Sequence, residues 1–164
     1  MSCSGGQSPR DRAIIAPTSL KKAPMRANRP FAEHRRVLIA SATLRRAGVD
    51  VDVLVGSGED AAERFESGEL DPEPRIVVTT AGGLGGWIRP GGPFRAAPLP
   101  GPISDAYGCG DCFAAGLTYG LALGSPVDEA VALGAQCGAA VLTGQGAYGH
   151  QLTAADLPDD LDAG

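Results

Sequence analysis

Several common functional signatures are missing from this sequence. No uncharged apolar run reaches the roughly 18 residues of a membrane-spanning helix. The only lysines are Lys21 and Lys22, and neither follows a glycine, which removes a P-loop. Two histidines, His34 and His150, lie far apart, and neither H-E-x-x-H nor G-x-S-x-G occurs, so the usual hydrolase templates have nothing to hold. The first thirty residues contain no apolar core of about 7–15 residues, since Ala13-Ile14-Ile15-Ala16 is too short for a secretion signal. The expected location is therefore the cytoplasm, where Cys3, Cys109, Cys112 and Cys137 would be thiols rather than a disulfide frame. The glycines follow no three-residue period, which excludes collagen, and no internal repeat is present.

What the chain does have is glycine, in an uneven distribution. Among 164 residues there are 24 glycines and 13 prolines, a surplus that leans toward disorder. Against that, 43% of residues are apolar and only 20% charged, enough for a core, and the length fits one domain. Seventeen of the glycines fall between Gly82 and Gly149, among small and apolar side chains. Glycine placed in that way points to tight turns or to a backbone that must approach something closely.

Charge is equally polarised. Residues 1–46 hold ten Lys/Arg and two acidic residues, whereas residues 47–164 hold four Arg and seventeen acidic residues, for a net charge of −5. The basic segment could be an arm for nucleic acid, but its prolines, scattered charges and single aromatic, Phe31, favour a poorly ordered, solvated leader over residues 1–35. Neither a nucleic-acid nor a membrane partner is expected. Residues 154–164 read as an acidic tail.

From residue 36 the pattern suggests α/β layers. Val37-Leu38-Ile39-Ala40, Val51-Asp52-Val53-Leu54-Val55 and Arg75-Ile76-Val77-Val78-Thr79-Thr80 read as strands. Short helices are expected from Ser41 to Ala47, stopped by Gly48, and from Glu59 to Phe65. Pro90-Gly91-Gly92-Pro93 reads as the turn of a hairpin between Trp87-Ile88-Arg89 and Phe94-Arg95-Ala96-Ala97. A helix follows from about Gly110 to Leu123. Another starts at Ser125-Pro126, with Ser125 as cap and Pro126 in the first turn, and runs to about Leu142. Gly116, Gly120, Gly134 and Gly138 would let these two helices pack closely.

Three motifs compete for the chemistry. Cys109-Gly110-Asp111-Cys112 is a CxxC at a helix start, where a thiol pKa falls, so a redox or zinc role stays open. Zinc, however, would need further ligands, and no second close pair exists. Gly82-Gly83-Leu84-Gly85-Gly86 follows a strand but leads into a hairpin, so a dinucleotide fingerprint fails. The third stretch, Asp105-Ala106-Tyr107-Gly108-Cys109-Gly110-Asp111, immediately precedes an apolar helix. There the backbone N–H groups are free, the dipole is positive, and flanking glycines allow amides to converge into an anion hole. On spacing alone, Asp111 in the first turn also fits a simple helix-capping carboxylate. Beside an anion hole it also meets the needs of phosphoryl transfer, in which amides stabilise developing charge and a carboxylate accepts a hydroxyl proton.

Residues 105–111 match the form D-[TA]-x-G-x-G-D at every fixed position. The chain thereby resembles the C-terminal half of the ribokinase-like (PfkB) carbohydrate kinases. Thr80, Gly82 and Gly85 resemble that family's T-x-G-x-x-G turn, and residues 139–147 its terminal helix and adenine-side loop. The resemblance covers about residues 36–153. It implies a three-layer α/β/α fold on a mostly parallel sheet, and an ATP-dependent transfer of the γ-phosphoryl group to a hydroxyl of a small-molecule sugar. It further implies Asp111 as catalytic base, with Gly108, Cys109 and Gly110 as the anion hole. Thr80, Gly82 and Gly85 would lie along the ATP phosphates and ribose, and Gly146 and Ala147 beside the adenine. Asp105 would help hold a monovalent cation such as K⁺. The family's magnesium-linked N-x-x-E has only Ser57-Gly58-Glu59-Asp60 as counterpart, making Ser57 and Asp60 the expected oxygen donors near Mg²⁺.

Family members are roughly twice this length, and residues 1–35 resemble none of their first half, with its sugar-binding residues and β-lid. The expectation is a truncated kinase. A non-catalytic nucleotide-binding remnant, or one half of a split kinase, remains the alternative. An incomplete parallel sheet would expose an apolar edge, which a second copy or a complementary N-terminal half could cover.

Overall fold

The computed structural model describes residues 37–39 and 51–156. Strands β1 (Val37–Ile39), β2 (Val53–Ser57) and β3 (Ile76–Thr80) pair in parallel. Strands β4 (Gly86–Arg89) and β5 (Gly92–Phe94) extend the sheet as an antiparallel hairpin, in the spatial order β1-β2-β3-β4-β5. All five expected strands are present, each shifted or trimmed by a few residues. The α/β architecture holds, with three parallel strands continued by two antiparallel ones. The expected helix over 41–47, the leader and all but the first residues of the acidic tail lie outside the described residues.

Period-2 alternation sorts the strand side chains between two faces. Val53, Val55, Val78 and Ile88 face helices α1 (Cys109–Ala122) and α2 (Val127–Val141). There they form the main core with Phe113, Leu117, Leu121, Ala130 and Val131. Val51, Leu54 and Val77 form a smaller cluster, covered by Phe65 and Leu70 from the β2–β3 connection.

That connection corrects one expectation. Residues 59–65 form turns instead of a helix, because local side chains capture the backbone. Ser57 Oγ accepts the amides of Glu59 and Asp60, an Asp60 carboxylate oxygen accepts that of Ala62, and Glu63 reaches back to the amide of Ser57. Ala61 and Ala62 are exposed, so no apolar face rewards extending the single turn. The α2 start also differs. Pro126 itself occupies the N-cap position, and no side chain caps the helix. Ser125 is engaged elsewhere: its amide bonds to the Gly120 carbonyl while Gly124, at φ +81°, bonds to that of Leu121, closing α1 as a Schellman motif.

The two helices run antiparallel and very close, as their glycines predicted. A Cβ on Gly116 would fall 2.9 Å from the Gly134 Cα, and one on Gly120 2.9 Å from the Ala130 Cα. Across the same interface, a Cβ on Gly138 would lie 3.1 Å from the carbonyl oxygen of Cys109. The C-terminal end of α2 therefore lies beside the N-terminal end of α1, which places the loop after α2 next to the motif at 105–111.

Candidate functional site

The α1 N-terminus is open to an external acceptor. Gly108 is its N-cap residue at φ +81°, ψ 2°, and no side chain supplies a capping bond. A side chain at residue 108 would meet the Ala147 Cβ at 2.6 Å, whereas one at Gly110 would meet nothing within 4 Å. Residue 108 is thus pressed against the loop after α2 while Gly110 faces open space. Asp111 stands exposed in the first turn.

Asp105 joins the two loops. One of its carboxylate oxygens accepts the amide of Tyr107 at 3.0 Å and the other that of Gly146 at 2.9 Å. These amides, Tyr107 first and Gly146 next, hold the Asp105 carboxyl below its ordinary value. The amides of Ser104 and Asp105 donate to the Leu142 carbonyl, completing the joint.

Thr80 ends β3 and pairs in register with both Ser57 and Gly86. A 3₁₀ turn, Gly82–Leu84, follows it and is closed by the amide of Ala81 donating to the Gly85 carbonyl. Gly85 is packed so tightly that a Cβ would meet the Phe94 carbonyl oxygen. The Phe94 ring in turn stacks on Phe113, with centroids 5.8 Å apart. Phe113 is two residues beyond Asp111, so this stack brings the α1 N-terminus to the carboxyl end of β3. Crevices at the carboxyl ends of parallel strands, where the sheet changes direction, are where α/β folds bind ligands. Thr80, Gly82, Gly85, Gly108, Gly110, Asp111, Gly146 and Ala147 accordingly belong to one end of the molecule.

The profile described as "pfkB family carbohydrate kinase" matches residues 42–154. The chain belongs to the pfkB family of carbohydrate kinases. No curated protein matches the sequence at a significant level. Among solved structures, a Burkholderia thailandensis nucleoside kinase, solved in complex with inosine, is 26% identical with a TM-score of 0.59; the match covers 71% of this chain and 41% of that one. A nucleoside kinase of Methanocaldococcus jannaschii, described as an archaeal member of the ribokinase family, shares the fold at 17% identity and TM-score 0.53, over 62% of this chain and 36% of that one. An adenosine kinase from Sinorhizobium meliloti does so at 22% identity and TM-score 0.52, over 65% and 35% respectively. The chain spans about two fifths of the length of the first of these and somewhat less of the others.

Within this pfkB chain, the expected metal donors are not gathered into a metal site. Among the described residues, no group of three or more His, Cys, Asp or Glu could hold an ion. Ser57 Oγ already accepts two amides, and Asp60 turns back onto its own loop. The carboxylate that faces the Gly82 turn is that of Glu59, which a Cβ on Gly82 would approach to 3.7 Å. Glu59 was missed because matching the motif's spacing selects position 60, whereas the turn at Ser57 rotates position 59 toward the glycines. The residues present do not assemble a protein-built magnesium cage. Asp105, with both oxygens accepting amides, acts as a tie between loops. Nor do Cys109 and Cys112 join a metal-binding group; both are free, half-buried thiols. No helix of the described residues is long and apolar enough to cross a membrane.

Proposed function

We propose that this chain binds the polyphosphate of ATP at the α1 N-terminus and supplies Asp111 as the base for γ-phosphoryl transfer to a hydroxyl of a small sugar or nucleoside. The observation that carries this reading is the uncapped first turn of α1, with Gly110 facing open space and Asp111 in the same turn. Amides held there need no reorganisation to stabilise charge developing on the transferred phosphoryl. Asp111 accepts the acceptor hydroxyl's proton as the oxygen attacks phosphorus, and ADP leaves. Thr80, Gly82 and Gly85 lie along the phosphates and ribose, and Gly146 and Ala147 border the base.

Either acceptor class offers a hydroxyl on a furanose or related ring. The nucleoside option is supported by the Burkholderia relative, solved bound to inosine and to ADP-inosine.

The test is Asp111→Asn, assayed with ATP against a panel of sugars and nucleosides beside calorimetric titration of ATP. The expected result is a fall in kcat of about 10²–10⁴-fold with ATP affinity nearly unchanged. Loss of ATP binding in the variant would overturn the base role. ATP binding by the wild type without turnover on any acceptor would reduce the chain to a nucleotide-binding module.

A further inference from the structure

The face of α1 turned away from the sheet carries Cys112, Gly116 and Tyr119, and with Leu133 and Cys137 of α2 and Gln151 it walls a cavity of about 380 Å³. Two of these side chains are thiols, on different helices, and the phosphoryl-transfer reading uses neither. The Cys137 Sγ lies 2.7 Å from the position that a Cβ on Gly116 would occupy. Cys112 is one helical turn before Gly116 on the same stripe, where neighbouring Cβ positions are about 5–6 Å apart. One residue after Cys137, a Cβ on Gly138 would lie 3.5 Å from that of Phe113, the residue after Cys112. Residues 112–116 and 137–138 therefore cross at one level.

Burial first, and then the neighbouring Cys112 thiol, push the Cys137 thiol above its ordinary value. A disulfide requires Cα atoms about 4.4–6.8 Å apart, a separation that helices touching through glycine can approach.

We propose that Cys112 and Cys137 form an oxidation pair that closes as a disulfide across this cavity when the chain meets a low-molecular-weight disulfide. The Cys112 thiolate attacks one sulfur of the small disulfide, breaking its S–S bond and releasing one small thiol. Cys137, whose burial favours the protonated thiol, then gives up its proton to solvent, attacks the Cys112 sulfur of the mixed disulfide and releases the second small thiol. The protein loses two hydrogens and two electrons, and the small disulfide is reduced to two thiols. Cys109, though it completes the CxxC, does not line the cavity.

Closure also reaches the neighbouring loop. The Cys112 Sγ lies 3.9 Å from the Ala147 carbonyl oxygen and 3.8 Å from Gln151 Nε2, while Gln151 donates to that same carbonyl at 2.9 Å. Drawing the sulfur toward α2 removes its contact with a residue that abuts Gly108. The pairing itself does not depend on the kinase reading.

The experiment incubates the full chain with oxidised glutathione, alkylates remaining thiols and maps peptides by mass spectrometry without reduction. The expected product is a peptide pair joined through Cys112 and Cys137, lacking two hydrogens, abolished by dithiothreitol and absent from both Cys112→Ser and Cys137→Ser. A Cys109–Cys112 link, glutathione adducts alone, or full alkylation of Cys112 and Cys137 would each overturn it. The wild-type map decides the matter even if a variant fails to fold.

Discussion

An Asp105 carboxylate oxygen accepts the Gly146 amide at 2.9 Å, joining two loops separated by 41 residues of chain. Because the antiparallel helices α1 and α2 lie between these residues, this bond, with the Ser104 and Asp105 amides donating to the Leu142 carbonyl, holds the loop after α2 against the N-terminus of α1. Both loops belong to the proposed nucleotide site, so its shape depends on a residue that need not touch the nucleotide.

The tie has a pH signature. A carboxyl whose folded pKa is depressed contributes stability that is fully present above its unfolded value and is lost as pH falls through the folded one. The Gly146 amide resonance is therefore expected to stay constant through neutral and mildly acidic pH, and to shift only below the ordinary carboxylate range. In Asp105→Asn that titration should disappear. A transition at or above the ordinary range would contradict the tie.

Gly108 and Gly110 should respond oppositely to alanine. At Gly108 the positive φ costs about 1–2 kcal/mol and the new methyl group meets Ala147 at 2.6 Å, so Gly108→Ala should lower the urea midpoint clearly. Gly110 has open space and helical geometry, so Gly110→Ala should leave stability unchanged or raise it by up to about 1 kcal/mol. A destabilised Gly110→Ala would show that the first turn is more crowded than described.

The close helix contact is expected to reject bulk at Gly134. A Cβ there would lie 2.7 Å from the Phe113 carbonyl oxygen and 3.2 Å from the Leu117 amide nitrogen, both backbone atoms. Gly134→Val should cost about 1–3 kcal/mol or more by forcing the helices apart, measured by chemical denaturation. A neutral outcome would mean that the pair can slide.

Leu117 is fully buried between sheet and helices, at 0% exposure. Leu117→Ala should cost about 2–5 kcal/mol, again by denaturant midpoint. A loss well below that range would show that the surrounding Val, Phe and Ala side chains collapse into the space.

Strands β1–β3 were legible because a β-branched apolar run bounded by polar or glycine residues has few alternatives. The hairpin was legible because Gly91-Gly92 between prolines admits little else. The 59–65 segment was misread because two alanines and a phenylalanine at helical spacing carry no record of Ser57, Asp60 and Glu63, whose side chains bond to nearby amides and stop the helix. Glu59 escaped for the same reason: its direction is set by that turn.

Local chemistry along the chain determined the glycine concentration, the D-A-Y-G-C-G-D motif and the open helix start after it, because turn and helix-end preferences act over a few residues. Tertiary structure alone decided that Gly146 meets Asp105, that Ala147 presses on Gly108, and that Cys137 rather than Cys109 shares a cavity with Cys112. Those contacts depend on the distance and register between α1 and α2, which are set when Gly116, Gly120, Gly134 and Gly138 bring the two backbones together.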